Sequence, residues 1–170
     1  SYTVRVRSTD AGGLFTEKAF TITVSDVNEA PTALALTGQT TSLAEDADTS
    51  SRIKVADIVV TDDALGTNTL SLTGADAGSF EIDGTSLYLK AGVSLNYETK
   101  TSYAVTVSVD DSSVAGSTPV TADFALGVTN VNEGPSDVGL SVSTVAENAA
   151  VGTVVGSLST TDVDAGDTFT

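Results

Sequence analysis

The segment Tyr103-Ala104-Val105-Thr106-Val107-Ser108-Val109-Asp110-Asp111 alternates strictly, with Tyr103, Val105, Val107 and Val109 on one side of an extended chain and Ala104, Thr106 and Ser108 on the other. Successive side chains of a β-strand point to opposite faces, so this pattern predicts a strand with one face in a core and the other toward solvent. A near copy, YTVRVRSTD, stands at Tyr2 to Asp10. Val27-Asn28-Glu29-Ala30-Pro31-Thr32 returns as Val131-Asn132-Glu133-Gly134-Pro135-Ser136, 104 residues later. Ala44-Glu45-Asp46 matches Ala146-Glu147-Asn148, and Thr61-Asp62 matches Thr161-Asp162. A fixed period near one hundred residues is the length of one small β-sandwich, so the chain reads as a tandem array rather than one enzyme body. It begins without Met and stops inside a repeat, and is expected to be a cut from something longer.

Outward from Tyr103, five more short β-branched runs predict strands: Ile53 to Val60, Thr69 to Thr73, Phe80 to Ile82, Ser86 to Lys90 and Ala122 to Thr129. A seventh is expected over Ala33 to Leu43, broken at Thr37-Gly38, and Asp83-Gly84 marks a hairpin turn. Gly, Asp, Asn and Ser clusters separate these runs, and helical periodicity is hard to find. The predicted fold class is all-β: tandem Greek-key β-sandwich repeats of immunoglobulin-like type, one complete module flanked by two partial ones. The complete module is expected over residues 30–133. Residues 1–29 are the last two strands and linker of an upstream module, with Val4 and Val6 facing inward on one strand and Phe20, Ile22 and Val24 on the other. Residues 134–170 are the first strands of a downstream module. A two-stranded piece is marginal in water, so these ends are expected to fray, to lean on the central module, or to complement each other between chains.

Composition narrows the partners. Seven Lys and Arg against 23 Asp and Glu give a net charge of −16, which argues against nucleic acid and anionic membrane as partners. Without Cys, Met, Trp or His there are no disulfides and no soft-metal sites, while an oxygen-rich acidic surface suits hard cations such as calcium. No run of about 18 apolar residues is present, so no membrane insertion is expected of this segment. Catalysis has no foothold either, because the acid clusters fall at module ends and no pocket is identified for an acid/base pair.

The Asp-x-Asn-Glu-x-Pro linker, the Ala-Glu-Asp/Asn at a strand start, Leu95-Asn96-Tyr97-Glu98, Asp162-Val163-Asp164 and the Asp closing a Tyr-x-Val-x-Val strand resemble the calcium motifs of cadherin repeats. The likeness spans the chain and is greatest to bacterial cadherin-like repeats of very long secreted or surface-bound adhesin-type proteins. At the second junction the resemblance implies calcium ligands Glu45 and Glu98 from the central module, Asn130, Asn132 and Glu133 from the linker, and Asp162 and Asp164 from the next module. At the first junction it implies Asp26, Asn28 and Glu29 from the linker with Asp62, Asp63 and Asp111. Asp10, the counterpart of Asp111, is expected to be idle.

Three departures from the motif weaken the sites, one being that both linkers carry Glu, Glu29 and Glu133, where the family usually has Asp after the Asn. Asn130 stands where the linker usually begins with Asp, and Asp62-Asp63-Ala64 lacks the second acid of Asp-x-Asp. One or two calcium positions per junction are therefore expected, with affinity in the weak extracellular range of about 10⁻⁴ to 10⁻³ M. The physical logic is general. Calcium gathers six to eight oxygens, and two unit charges about 4 Å apart repel by roughly 4 kcal/mol at an effective dielectric of about 20, so an ion turns a self-repelling hinge into a strut.

The plainer alternative is that Asn28-Glu29 and Asn132-Glu133 are polar turn residues ahead of Pro. Asp10-Ala11-Gly12-Gly13 and Asp76-Ala77-Gly78 read as loops, and Asp162 to Asp167 lacks the third donor and closing Glu of an EF-hand. The expected role is a calcium-stiffened stalk at an extracellular, bacterial cell-surface location. The alternative is an accessory module binding carbohydrate or protein, such as a cell-surface glycan.

Overall fold

The computed structural model describes all 170 residues. Residues 33–129 form two facing four-stranded sheets, and a two-stranded hairpin stands on either side in sequence. The first hairpin pairs β1 (Tyr2–Thr9) with β2 (Phe15–Ile22). The facing sheets follow: β3 (Ala33–Thr37), β5 (Ile53–Thr61), β7 (Phe80–Asp83) and β8 (Ser86–Leu89) build one in the order β3-β5-β8-β7. β4 (Ser42–Ala44), β6 (Thr69–Thr73), β9 (Ser102–Asp110) and β10 (Val120–Thr129) build the other in the order β4-β10-β9-β6. The last hairpin pairs β11 (Asp137–Leu140) with β12 (Leu158–Thr161).

The alternating pattern read from Tyr103 onward is the one observed: Tyr103, Val105, Val107 and Val109 are buried while Ser102 and Ala104 are exposed. From the opposite sheet come Val55, Ile58, Leu87, Leu89 and Phe80, and β10 adds Phe124, Leu126 and Val128. Phe80 meets Phe124 edge to face across the gap, with centroids 5.9 Å apart and planes at 87°, a favoured aromatic geometry. A register shift between Lys54 and Ala56 lets the consecutive residues Val55 and Ala56 both face inward, the usual consequence of a β-bulge.

Two expectations are adjusted. The single broken strand over Ala33 to Leu43 is two strands in different sheets, since β3 pairs antiparallel with β5 and β4 pairs parallel with β10. Asp76-Ala77-Gly78 leads into a short 3₁₀ turn, Ala77–Ser79, rather than a plain loop. Asp83-Gly84 does close a hairpin, with Gly84 at φ +58°. This topology sets up two poles. β4 runs beside the end of β10, which brings Glu45 to the start of the second linker, with Glu45 N donating to Thr129 O at 3.1 Å. The ends of β5 and β9 carry Asp62 and Asp111 to the opposite pole, where the first linker enters.

Candidate functional site

At the first junction the linker amide of Asn28 donates from Nδ2 to Asp111 Oδ2 (3.0 Å) and to Ser113 Oγ (2.9 Å). Asp111 is fully buried, and its other oxygen accepts from the backbone and hydroxyl of Ser113. Glu29 N donates to Asp63 Oδ2 at 3.1 Å, and Asp63 Oδ1 accepts from Leu65 N. Asp62 Oδ2 accepts from Asn68 Nδ2 at 2.7 Å. Gly66 lies under this group: a Cβ there would stand 2.0 Å from Asp111 Oδ2 and 2.5 Å from Asn28 Oδ1, and its φ is +70°. Only glycine fits so close an approach in the left-handed region.

At the second junction Glu45 spends both oxygens on backbone, accepting from Val131 N (2.8 Å) and Tyr97 N (2.7 Å). The turn Asn96–Lys100, closed by Lys100 N to Asn96 O and by Thr99 N to Asn96 Oδ1, carries Glu98 beside it, and Leu95 anchors that turn in the core. One carboxylate oxygen from each of Glu45, Glu98 and Glu133 lies within 4.8 Å of the others. Asp164, nearly buried, accepts from Asn130 Nδ2 (2.9 Å) and Glu133 N (2.7 Å), and Asp162 Oδ1 accepts from Asp164 N. Asp162, Asp164 and Asp167 form a second group of three within the same 4.8 Å limit.

Crowding shows in the proton affinities. Glu29 is raised above the ordinary carboxylate range by its hydrogen bond to Asp63, then by desolvation and neighbouring acids including Asp26. Glu133 is raised by desolvation first and then by the charges of Glu45, Asp164 and Glu98. Asp63, Asp111, Asp164 and Glu45 are all lowered, each chiefly by donors: Leu65 N, the Ser113 hydroxyl, the Asn130 amide and Tyr97 N respectively.

Four buried side-chain oxygens or nitrogens have no hydrogen-bond partner, and all four belong to the junctions: Asn28 Oδ1, Asp62 Oδ1, Glu133 Oε2 and Asp162 Oδ2. All are oxygens. An acceptor lone pair sealed from water with nothing donating to it is costly, and a hard cation satisfies it.

The sequence-predicted residues fall into two sets. Asn28, Glu29, Asp62, Asp63 and Asp111 gather at one pole, and Glu45, Glu98, Asn130, Glu133, Asp162 and Asp164 at the other. Two stand apart. Asp26 is exposed and reaches the cluster only through its charge on Glu29. Asn132 is exposed and turns Nδ2 onto the carbonyl of Glu133 at 2.8 Å, whereas its counterpart Asn28 reaches Asp111. Asn68, Ser113, Gly66 and Asp167 were not anticipated. Gly66 and Asn68 follow Asp62 at short spacing, and Asp167 closes a run of three acids, which is the signal each left in the sequence.

No family model matches this chain. It is 29% identical over 170 residues to the human protocadherin Fat 4, covering 97% of this chain and 3% of that protein's length. Among solved structures, protocadherin gammaB7 extracellular cadherin domains 3–6, in a cis-dimer, superposes with a TM-score of 0.70 at 25% identity over 97% of this chain and 40% of that one. Domains 3–6 of protocadherin gamma B2 give 0.68 at 23% identity with the same coverage. The sheet order, the pole-to-pole placement of the acids and these superpositions agree: the fold of this chain is that of cadherin-like β-sandwich repeats.

Proposed function

We propose that the chain is a segment of a calcium-stiffened stalk in a large extracellular adhesin-type protein, with residues 30–133 as one module, 1–29 and 134–170 as parts of its neighbours, and the two linkers as calcium joints. The observation that carries this reading is the location of the four unpartnered buried oxygens, two at each junction. Glu45, Glu98, Glu133, Asp162 and Asp164 would hold the ion at the second joint, and Asn28, Glu29, Asp62, Asp63 and Asp111 at the first. When bound, calcium neutralises the clustered carboxylates and takes the orphaned lone pairs. The chain's own work is to present those groups from two modules at once, so that binding energy is expressed as fixed inter-module geometry. Adhesion and a bacterial cell-surface location follow from the resemblance of the linkers. The solved protocadherin structures that superpose on the chain are extracellular cadherin domains, which supports the extracellular setting.

The test is a calcium titration followed by melting and small-angle scattering. About 10⁻³ M calcium is expected to raise the melting temperature by several degrees and to narrow the distribution of chain dimensions. Melting point, heat signal and scattering profile all unmoved would refute the reading. Saturable binding on a glycan array with no calcium response would instead favour a carbohydrate-binding module.

A further inference from the structure

The chain has seven basic residues, and each is engaged away from the two junctions. Arg5 and Arg7 pair with Glu17, Arg52 with Glu81 and Asp83, and Lys54 with Asp57. Lys18 stands over the Phe20 ring, and Lys90 donates to Gly78 O at 2.8 Å. Lys100 pairs with Asp76. None of these acids belongs to either junction, so the clustered carboxylates have no cation from the protein itself. Lys100 is the case that needs a reason. It stands two residues after Glu98, whereas the other six are at least seven residues from any candidate ligand. Two residues span at most about 7 Å of chain, which a Lys and a Glu side chain bridge together. An ammonium on Glu98 would neutralise the cluster from within and stand where a divalent ion has to bind.

Asp76 holds that ammonium elsewhere. One of its oxygens takes Lys100 Nζ, and the other accepts from Ala104 N at 2.8 Å, while Asp76 N donates to Ala104 O at 3.3 Å. Backbone bonds on both sides thus fix the carboxylate against β9, and its side chain is only 13% exposed. Lys100 Nζ also stands 4.7 Å from the centroid of the Tyr103 ring, and Tyr103 is buried with its hydroxyl donating to Ser94 O at 3.1 Å. A carboxylate and a ring face, both anchored on the sandwich, make a strong seat for an ammonium. The Asn96–Lys100 turn is closed by its own bonds, Lys100 N to Asn96 O and Thr99 N to Asn96 Oδ1. What the pair with Asp76 decides is therefore where the Lys100 charge goes rather than whether the turn forms.

We propose that Asp76 is a specificity-determining residue of the second joint: it sequesters the Lys100 ammonium, the basic group nearest Glu98, and so leaves Glu45, Glu98 and Glu133 open to a divalent cation. Asp76 touches no ion and acts through Lys100. The inference rests on the joint reading above and adds to it a residue outside the linker motifs. The first junction has no basic neighbour so near in sequence, which makes it the internal control.

The experiment is a calcium titration of the isotope-labelled chain followed residue by residue by NMR. The amides of Tyr97, Glu98 and Glu133 report the second joint, and those of Glu29, Asp63 and Ser113 the first. Asp76→Asn keeps a carbonyl for Ala104 N and removes the charge that holds Lys100. It is expected to weaken calcium at the second joint by about tenfold, the size of losing an outer-shell partner, and to leave the first unchanged. Adding Lys100→Met to Asp76→Asn should restore most of the affinity. A second joint unaffected by Asp76→Asn overturns the proposal. So does a double variant as weak as Asp76→Asn, because the loss would then come from the shape of the turn rather than from a competing ammonium. Lys100→Met alone should bind at least as tightly as the wild type, and a weaker second joint there overturns the proposal whatever Asp76→Asn does. Melting in chelator and the amide shifts of Val105 and Val107 check the fold of each variant. Wild-type amides that do not move at either joint would defeat the joint reading itself, whereas wild-type binding matched by every variant would defeat this inference alone.

Discussion

The two junctions are built on almost the same linker hexapeptide but hold it with acids from different places in the repeat. At the second, Asp164 accepts Glu133 N; at the first, the residue in register with Asp164 is Ala64, and the equivalent bond from Glu29 N goes to Asp63. Ala64 adopts φ +66° and is the one non-glycine residue with positive φ. The chain spends a left-handed alanine to turn a displaced carboxylate back onto the linker. The contact is kept in space although its position along the chain has moved by one residue. The junctions differ also in what surrounds the Asn. Asn28 is clamped to buried Asp111, and Asn132 finds only its neighbour's carbonyl.

The strongest way to sharpen this contrast is at glycine. Gly66→Ala collides with Asp111 and Asn28 and strains a left-handed residue, so melting is expected to fall by about 10 °C. At its counterpart Gly166 the φ is +103° but nothing lies within 4 Å, so Gly166→Ala should move the sandwich's melting by no more than about 2 °C. Similar losses at both sites would show that the close approach under the first junction does not matter.

Next in size is the calcium response. Glu98→Ala should remove most of the several-degree gain contributed by the second junction, and Asp10→Ala in dilute solution should leave it whole. A Glu98→Ala chain with the full gain would break the assignment of Glu98 to that joint.

Moving the acid tests the displaced contact directly. Asp63→Ala should weaken the first junction's calcium response about as much as Asp164→Ala weakens the second's, and combining Asp63→Ala with Ala64→Asp should recover part of it. No recovery would mean that Asp63 acts only where it now stands.

The smallest effect is on pH dependence without calcium. Glu29 and Glu133 bind protons more tightly in the fold than at the ordinary Glu value of 4.5. Their strain is complete above their folded values and is relieved as pH falls through those values toward 4.5, so stability should rise slightly on mild acidification. Asp63, Asp111, Asp164 and Glu45 are lowered, and their contribution, full above the unfolded range near 4, is lost as pH falls through their folded values. Melting in chelator should therefore rise and then fall as pH is lowered from neutrality, and with calcium it should only decline on acidification. A steady decline in chelator from neutrality downward would remove the crowded carboxylates as a source of strain.

Much of this was legible in the residues themselves. Period-two alternation from Tyr103 to Val109 is a local property, because a strand's faces follow from backbone geometry alone, and the doubled hexapeptide is visible without any fold. Contacts between distant segments left weaker marks. That Ser42–Ala44 leaves one sheet to pair in parallel with β10, carrying Glu45 to the linker 86 residues away, depends on how the two sheets close over their core. That Asp63 takes the place of Ala64, that Asn132 turns from the cluster, and that Asp167 joins it depend on backbone directions in loops. The sequence by itself determined the alternating strands, the repeat and most of the acids that gather, since these are matters of spacing and charge. Only the tertiary structure decided which acids converge and which of their oxygens are left without a donor, since burial and hydrogen bonding are shared among segments that packing alone brings together.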